Sequence, residues 1–206
     1  MPENIFVVFS STPYKIGKAI RVFTGEEFNH VSIALDPQLT QMYSFARRYY
    51  KTPFYGGFVK ESLSRYHLNG KSAYVRICKI PVTEEQHRSL SIRMSKMMRK
   101  KELYLYNHIS ALGTVVKKPV RTKAAYTCVE FCVMILSKIG MDVDPNKFYT
   151  ITELEESLRP YTVYLGPMPE STSTDTDFYA KKPVPHPTAR TIRDIAKLVP
   201  RIKAQK

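Results

Sequence analysis

The chain of 206 residues is poor in cysteine and in acidic side chains and has no long apolar run. Its three cysteines, Cys78, Cys128 and Cys132, are too few and too unevenly spaced for a disulfide framework. A reducing, cytoplasmic setting is therefore the expectation. The Cys and His spacings match no common zinc module, so neither a metal nor another cofactor is expected. No stretch of about 18 consecutive apolar residues occurs, so no segment reads as a membrane-spanning helix. Residues 1–11 carry an acid at Glu3 and only a short apolar run, and read as a first strand rather than a signal peptide. No internal repeat is visible. The acidic deficit is the anomaly: 18 Asp and Glu face 32 Lys and Arg, a net +14. Such an excess suggests an anionic partner, whether nucleic acid, an anionic membrane surface or an acidic substrate.

At 43% hydrophobic and 24% charged, the composition is that of a globular chain with material for a core, not of a disordered one. Residues 5–10 read as a buried strand. Thr12 and Pro13 look like a helix cap and first helical residue, followed at helical spacing by Ile16, Ala19, Ile20 and Phe23. Residues 29–35 alternate, with Val31, Ile33 and Leu35 on one face and His30, Ser32 and Ala34 on the other. Strands are also expected at 41–46, at 73–80 (ended by Pro81) and at 161–165, with a loop around Gly56 and Gly57. Thr83 to Gln86 forms a capping-box pattern opening a helix to about residue 100, and 104–113 reads as another short helix. Thr152 is expected to cap a short acidic helix. Residues 168–187 have linker composition, and 188–202 recover an amphipathic period, with Pro200 casting doubt on the last turn. The expected division is a domain at 1–166 and a tail at 167–206.

Thr127-Cys128-Val129-Glu130 fits a capping box, and an apolar helical pattern follows as far as Gly140. Cys128 is then the first helical residue. At that position unsatisfied backbone N–H groups and the helix dipole favour a thiolate, the nucleophilic form. Cys132, one turn on, reads as core. A free cysteine is commonly just a small buried hydrophobe, and the pair at i, i+4 lacks the further ligands a metal site needs.

A cysteine nucleophile needs a histidine brought to it by the fold. His186 falls in the linker, His87 in a charged first helical turn, and His67 and His108 in polar surroundings. His30 opens the most regular strand pattern, on its small and polar side. The order of these motifs, Asn29-His30-Val31-Ser32 first and Thr127-Cys128-Val129-Glu130-Phe131 about a hundred residues later, resembles the circularly permuted papain-like cysteine hydrolases. These form the YiiX/YaeF-like branch of the NlpC-type superfamily, distantly related to lecithin:retinol acyltransferase. The resemblance covers most of residues 4–166. It implies an α+β fold with an antiparallel sheet packed against helices, Cys128 as nucleophile and His30 as base. The third position, a polar residue orienting the imidazole, falls on Ser44 in Met42-Tyr43-Ser44-Phe45-Ala46, where that family often has a carboxylate. Glu61 is the nearest carboxylate after that strand.

The implied activity is a hydrolase or acyltransferase acting on an amide, ester or thioester. The substrate would be a small molecule, a peptide or a lipid-like acyl compound. The alternative is a non-catalytic binding protein on the same scaffold, with its basic surface toward anionic membrane or nucleic acid. Peptidoglycan-peptide cleavage is a third reading, against which the lack of a signal peptide counts. Residues 88–123 hold ten basic side chains against Glu102 alone, so +9 of the charge lies just ahead of Cys128; the tail from Met168 holds eight basic against four acidic. No RRM, KH or helix-turn-helix signature supports nucleic acid. An anionic substrate or membrane surface is the favoured meaning of the charge.

Overall fold

The computed structural model describes residues 3–12, 25–49, 52, 55–68, 70–113, 122–169 and 187–203. Its centre is an eight-stranded sheet. The strands that build it are β1 (Glu3–Ser11), β2 (His30–Ala34), β3 (Met42–Arg47), β4 (Gly56–Lys60), β7 (Tyr74–Val82), β8 (Leu105–Tyr106), β9 (Ala125–Tyr126) and β10 (Thr162–Pro167). They lie in the order β10-β7-β1-β2-β3-β4-β8-β9, antiparallel except for the β8–β9 pair. A separate small hairpin joins β5 (His67–Leu68) to β6 (Lys71–Ser72). The helices are α1 (Glu84–Arg99), α2 (His108–Gly113), α3 (Cys128–Lys138), α4 (Ile151–Leu158) and α5 (Pro187–Lys203). This is the mixed α+β architecture expected, with a mostly antiparallel sheet.

Alternation along the strands makes two cores, because successive side chains point to opposite faces. Ile5, Val7 and Phe9 of β1, Val31 and Ile33 of β2, and Tyr43 and Phe45 of β3 join one cluster with buried residues of α1, α3 and α4. Phe131 of α3 packs between Phe45 and Phe58, with both ring centroids at 5.5 Å. Phe6, Val8, Ala34 and Met42 face the other way, into a smaller cluster closed by Tyr66, Ala73 and Met168. On that second face β2 and β3 also carry His30, Ser32 and Ser44, all buried. Three polar residues in apolar surroundings require partners, and these form the site described below.

Several elements depart from the expected pattern. Gly56 and Gly57 belong to β4, not to a loop. A Cβ on Gly56 would come 2.9 Å from Cβ of Tyr106, and one on Gly57 would meet the Tyr104 carbonyl oxygen, so the close approach of β8 selects glycine there. β7 continues through Pro81, which pairs with Asn4 on one side, whereas β10 pairs on the other side only as far as Cys78. With no strand paired beyond Cys78 on that side among the described residues, the missing N–H is harmless. Residues 104–113 divide into β8 and α2 rather than one helix. The cap of α4 is Thr150, not Thr152. Thr150 and Glu153 complete the reciprocal box, whereas Glu155 turns to Arg76 and Arg159. The proposed helix after Pro13, the basic residues Lys117, Lys118 and Arg121, and most of the linker lie outside the described residues.

The boundary expected after residue 166 falls within β10, and Met168 is buried in the second core. The tail helix is docked. Leu198 is fully buried against Leu105 and Ala125, and α5 runs through Pro200. Arg201 Nη1 donates to the carbonyls of Leu103, Lys123 and Ala124, at 3.2 to 3.3 Å. Ala124 has φ 55°, a conformation costly for a residue with a Cβ, and α5 therefore braces the turn that feeds β9 and then α3. Truncating the ring shared by the sheet and α3, Phe131→Ala, should lower stability by about 3–5 kcal/mol in urea denaturation. Ile192→Ala, on the exposed side of α5, should change it by less than about 0.5 kcal/mol.

Candidate active site

The N-terminus of α3 is formed by local sequence and locked by its neighbours. Thr127 is in extended conformation and its hydroxyl accepts from the Glu130 N–H, while Glu130 Oε2 accepts from the Thr127 N–H at 2.7 Å. Glu130 also accepts from the hydroxyl of Ser110, at 2.5 Å, and from the side-chain amide of Asn107. The Asn107 N–H bonds the Tyr126 carbonyl. The capping box is thus tied to α2 and β9 as well as to its own helix. Cys128 is the first residue of α3, as its spacing implied, and is buried.

His30 begins β2, paired with Ser10 of β1. Asn29, just before it, is held at both ends of its amide by Thr12. The imidazole meets Glu61, Ser32, whose hydroxyl lies 3.2 Å from Nε2, and Cys128. Its Nε2–H donates to Glu61 Oε1 at 2.7 Å, and the Cys128 side chain stands close enough to the ring to help raise its pKa. Nε2 is thus committed to the carboxylate. The structure thus joins the two residues singled out from sequence.

Glu61, directly after β4, anchors the constellation. Its N–H bonds the Met42 carbonyl at 2.7 Å, which turns the side chain back over β2 and β3. Oε1 accepts from His30, from Ser32 at 2.9 Å and from Ser44. Oε2 accepts from the Tyr66 phenol at 2.5 Å, and the Arg65 guanidinium lies 3.8 Å away. Burial would push this carboxyl upward; the charges of His30 and Arg65 and the hydrogen bonds from His30 and Ser44 outweigh it and hold the pKa well below the usual carboxylate range. Burial alone would likewise lower His30, but Glu61 and Cys128 override it and raise the imidazole from 6.5 to about 9. Burial, with Glu61 beside it, pushes the Tyr66 phenol well above its ordinary value, so this group stays a donor.

Ser44 therefore stands one step from its expected place. Its hydroxyl donates to Glu61, and Glu61, not Ser44, meets the imidazole. Sequence reasoning left Glu61 unassigned because its strand, containing two glycines, reads as loop. Ser32 and Tyr66 were missed as partners, although Ser32 lies on the polar face already noted. Tyr106 was missed as well. Burial pushes its phenol upward, and the fields of Cys128 and Glu130 add to this, so a protonated phenol stands near the thiol. The other histidines are engaged elsewhere: His87 donates to the Leu35 carbonyl, His67 pairs with Ser72, and His108 packs on Tyr106; His186 is not among the described residues. Cys78 and Cys132 are buried thiols, Cys78 pushed up to about 11 by burial and Cys132 raised well above its ordinary value for the same reason.

Among the described residues no group of three or more His, Cys, Asp or Glu side chains could hold a metal ion, and no helix is long and apolar enough to cross a membrane. Compared with family models, with curated proteins and with solved structures, the chain finds no match.

The buried pair gives stability a definite pH dependence. His30 is raised in the fold, so its contribution is complete below pH 6.5 and is lost as pH rises through about 9. Glu61 is lowered, so its contribution is present above about pH 4.5 and disappears in acid. Urea denaturation should show the wild type losing up to about 3 kcal/mol between pH 6 and pH 9.5 on this account. His30→Asn should flatten that decline; an unchanged slope would mean the imidazole is not charged in the fold.

Proposed function

We propose that the chain is a cysteine-dependent acyl-transfer enzyme, a hydrolase or acyltransferase acting on an amide, ester or thioester. The observation that carries the proposal is the buried His30–Glu61 ion pair, with the Cys128 side chain beside the imidazole at the start of α3. Cys128 is the nucleophile, His30 the general acid and base, and Glu61 the carboxylate that orients the ring and supports its positive charge. Ser44, Ser32 and Tyr66 position Glu61. The histidine strand preceding the cysteine helix, together with the α+β architecture, supports membership of the circularly permuted papain-like hydrolases, in the YiiX/YaeF-like branch of the NlpC-type superfamily. Three free cysteines fit a reducing, cytoplasmic setting.

The steps follow from the geometry. The helix N-terminus and the adjoining imidazolium favour negative charge on sulfur. The Cys128 thiolate attacks the substrate carbonyl carbon, and the carbonyl oxygen takes the charge within reach of the Cys128 backbone N–H. The bond to the leaving nitrogen, oxygen or sulfur then breaks as His30 passes its Nδ1 proton to that atom. A thioester on Cys128 remains and His30 is neutral. His30 takes a proton from water, or from another acceptor, as that group attacks the thioester. Release of the acid or the transferred product regenerates thiolate and imidazolium. A carboxylate suits the orienting role better than serine, because it stabilises the imidazolium as well as the tautomer.

The test is acylation by an activated thioester or ester, followed with site-resolved mass spectrometry. Cys128 should be modified ahead of Cys78 and Cys132, whose thiols burial raises. Cys128→Ala and His30→Ala should each lower turnover by about 1,000-fold or more. The alkaline limb of the acylation rate should fall near pH 9, where the imidazolium loses its proton. Glu61→Gln should move that limb down by roughly a unit or more, and Ser44→Ala by less. Three cysteines labelled at one rate, with no dependence on His30, would end the catalytic reading.

A further inference from the structure

A cavity of about 270 Å³ lies where the end of β3, β4 with its following turn, the Leu63–Tyr66 3-10 turn and the C-terminal end of α1 converge. Glu61 and Arg65 form part of its wall, so it abuts the carboxylate that holds His30. Five cationic side chains line it, Arg47, Arg48, Lys60, Arg65 and Lys101, against two carboxylates, Glu61 and Glu102. Both carboxylates are already engaged. Glu61 is bound by His30, two serines and Tyr66, and Glu102 pairs with Arg48 Nη1 at 2.6 Å. Arg48 is further held through Nη2 on the carbonyls of Lys101 and Tyr104, so Arg48 and Glu102 cancel as a fixed pair. Lys60 and Lys101 are exposed and have no ion pair among the described residues. Met98 adds apolar surface to the lining.

A solvated basic helix face would explain exposed lysines on one element. It does not explain cations from four elements converging on one concavity. Positive charges brought together in this way repel one another unless an anion joins them. Guanidinium and ammonium groups around a partly apolar cleft suit an oxyanion attached to an organic body.

We propose that this cavity binds the anionic group, a phosphate or carboxylate, of the acyl substrate. The proposal rests on the acyl-transfer reading above and narrows its substrate class to acyl compounds that carry such a group. The ligand's charge is received by Lys60 and Lys101, while Glu61, neutralised by His30 and Arg65, does not repel it.

The test uses the full chain carrying Cys128→Ala, so that binding is measured without chemistry. Inorganic phosphate, titrated calorimetrically at constant ionic strength, should bind saturably at one site. Lys60→Ala/Lys101→Ala should weaken that binding by about tenfold or more, whereas Lys79→Ala/Lys138→Ala, at exposed lysines elsewhere, should leave it unchanged. No saturable binding, or equal weakening in both double variants, would overturn the proposal. Glycerol phosphate and phosphatidylglycerol vesicles separate a free phosphate ester from a lipid headgroup; binding of either that is lost in Lys60→Ala/Lys101→Ala supports the site. In the active protein the same variant should raise KM for a phosphate-bearing thioester and leave kcat, and the turnover of a neutral thioester, unchanged. Loss of both turnovers alike would also count against it. An inert Cys128 with intact phosphate binding would instead sink the acyl-transfer reading and spare the cavity as a binding site.

Discussion

The constraint on which the centre of this structure depends is a carboxylate buried as an anion. Glu61 has no exposed side-chain surface, and an isolated carboxylate in such a place would be expelled or protonated. It persists because both oxygens are saturated and two positive charges stand beside it. That requirement dictates sequence far from residue 61. It puts serines at Ser32 and Ser44 on strand faces whose neighbours are apolar, and it makes the largest fully buried side chain, Tyr66, a hydrogen-bond donor. It also binds β2, β3, the end of β4 and the Leu63–Tyr66 turn into one unit. Removing one partner from a network of this kind leaves a buried charge unmatched, which is why such clusters are held in one arrangement.

A second carboxylate does a comparable job across the sheet. Glu130 closes the capping box of α3 and at the same time accepts from Ser110 and Asn107, so the helix start is located by α2 as well as by its own turn. The turn before β9 is held in a left-handed conformation at Ala124 and covered by Arg201. The cysteine and the histidine thus come from independently fixed supports, one at a helix end and one at a strand start, and neither depends on a long loop among the described residues. Preorganisation of this kind is what a nucleophile and its base need, since small displacements between them weaken proton transfer.

Local rules made much of this legible in the sequence. The boxes at Thr83 and Thr127 need only residues three apart, and both formed where the spacing put them. The alternation through β2 likewise revealed a polar face at His30 and Ser32. What escaped depended on tertiary partners. Gly56 and Gly57 look like loop residues until the crossing of Tyr104 and Tyr106 explains their missing Cβ atoms. Glu61 then follows a strand that could not be recognised, and the resemblance carried the orienting position to Ser44, which shares its neighbourhood but donates to the carboxylate. Thr152 and Thr150 each stand three residues before a glutamate. Only the claim of Arg76 and Arg159 on Glu155 decides between them.

The basic excess is also redistributed by the fold. In sequence it concentrates at 88–123, ahead of Cys128, as though it served the thiol directly. In space the helical part divides. Arg88, Arg93 and Lys96 border a shallow concavity along α1, whereas Lys101, at the helix end, turns toward the cavity beside Glu61. There it meets Arg47, Lys60 and Arg65, none of which belongs to the basic segment. The local field near the site therefore arises from cations scattered over more than fifty residues, and a linear count misplaces it. Within the buried cluster Arg65, Glu61 and His30 form an alternating row of charges, with the carboxylate between the two cations. Paired charges are buried at lower cost than any one of them alone. With Arg65 engaged by Glu61, Lys60 and Lys101 are the cavity lysines that have no ion pair among the described residues.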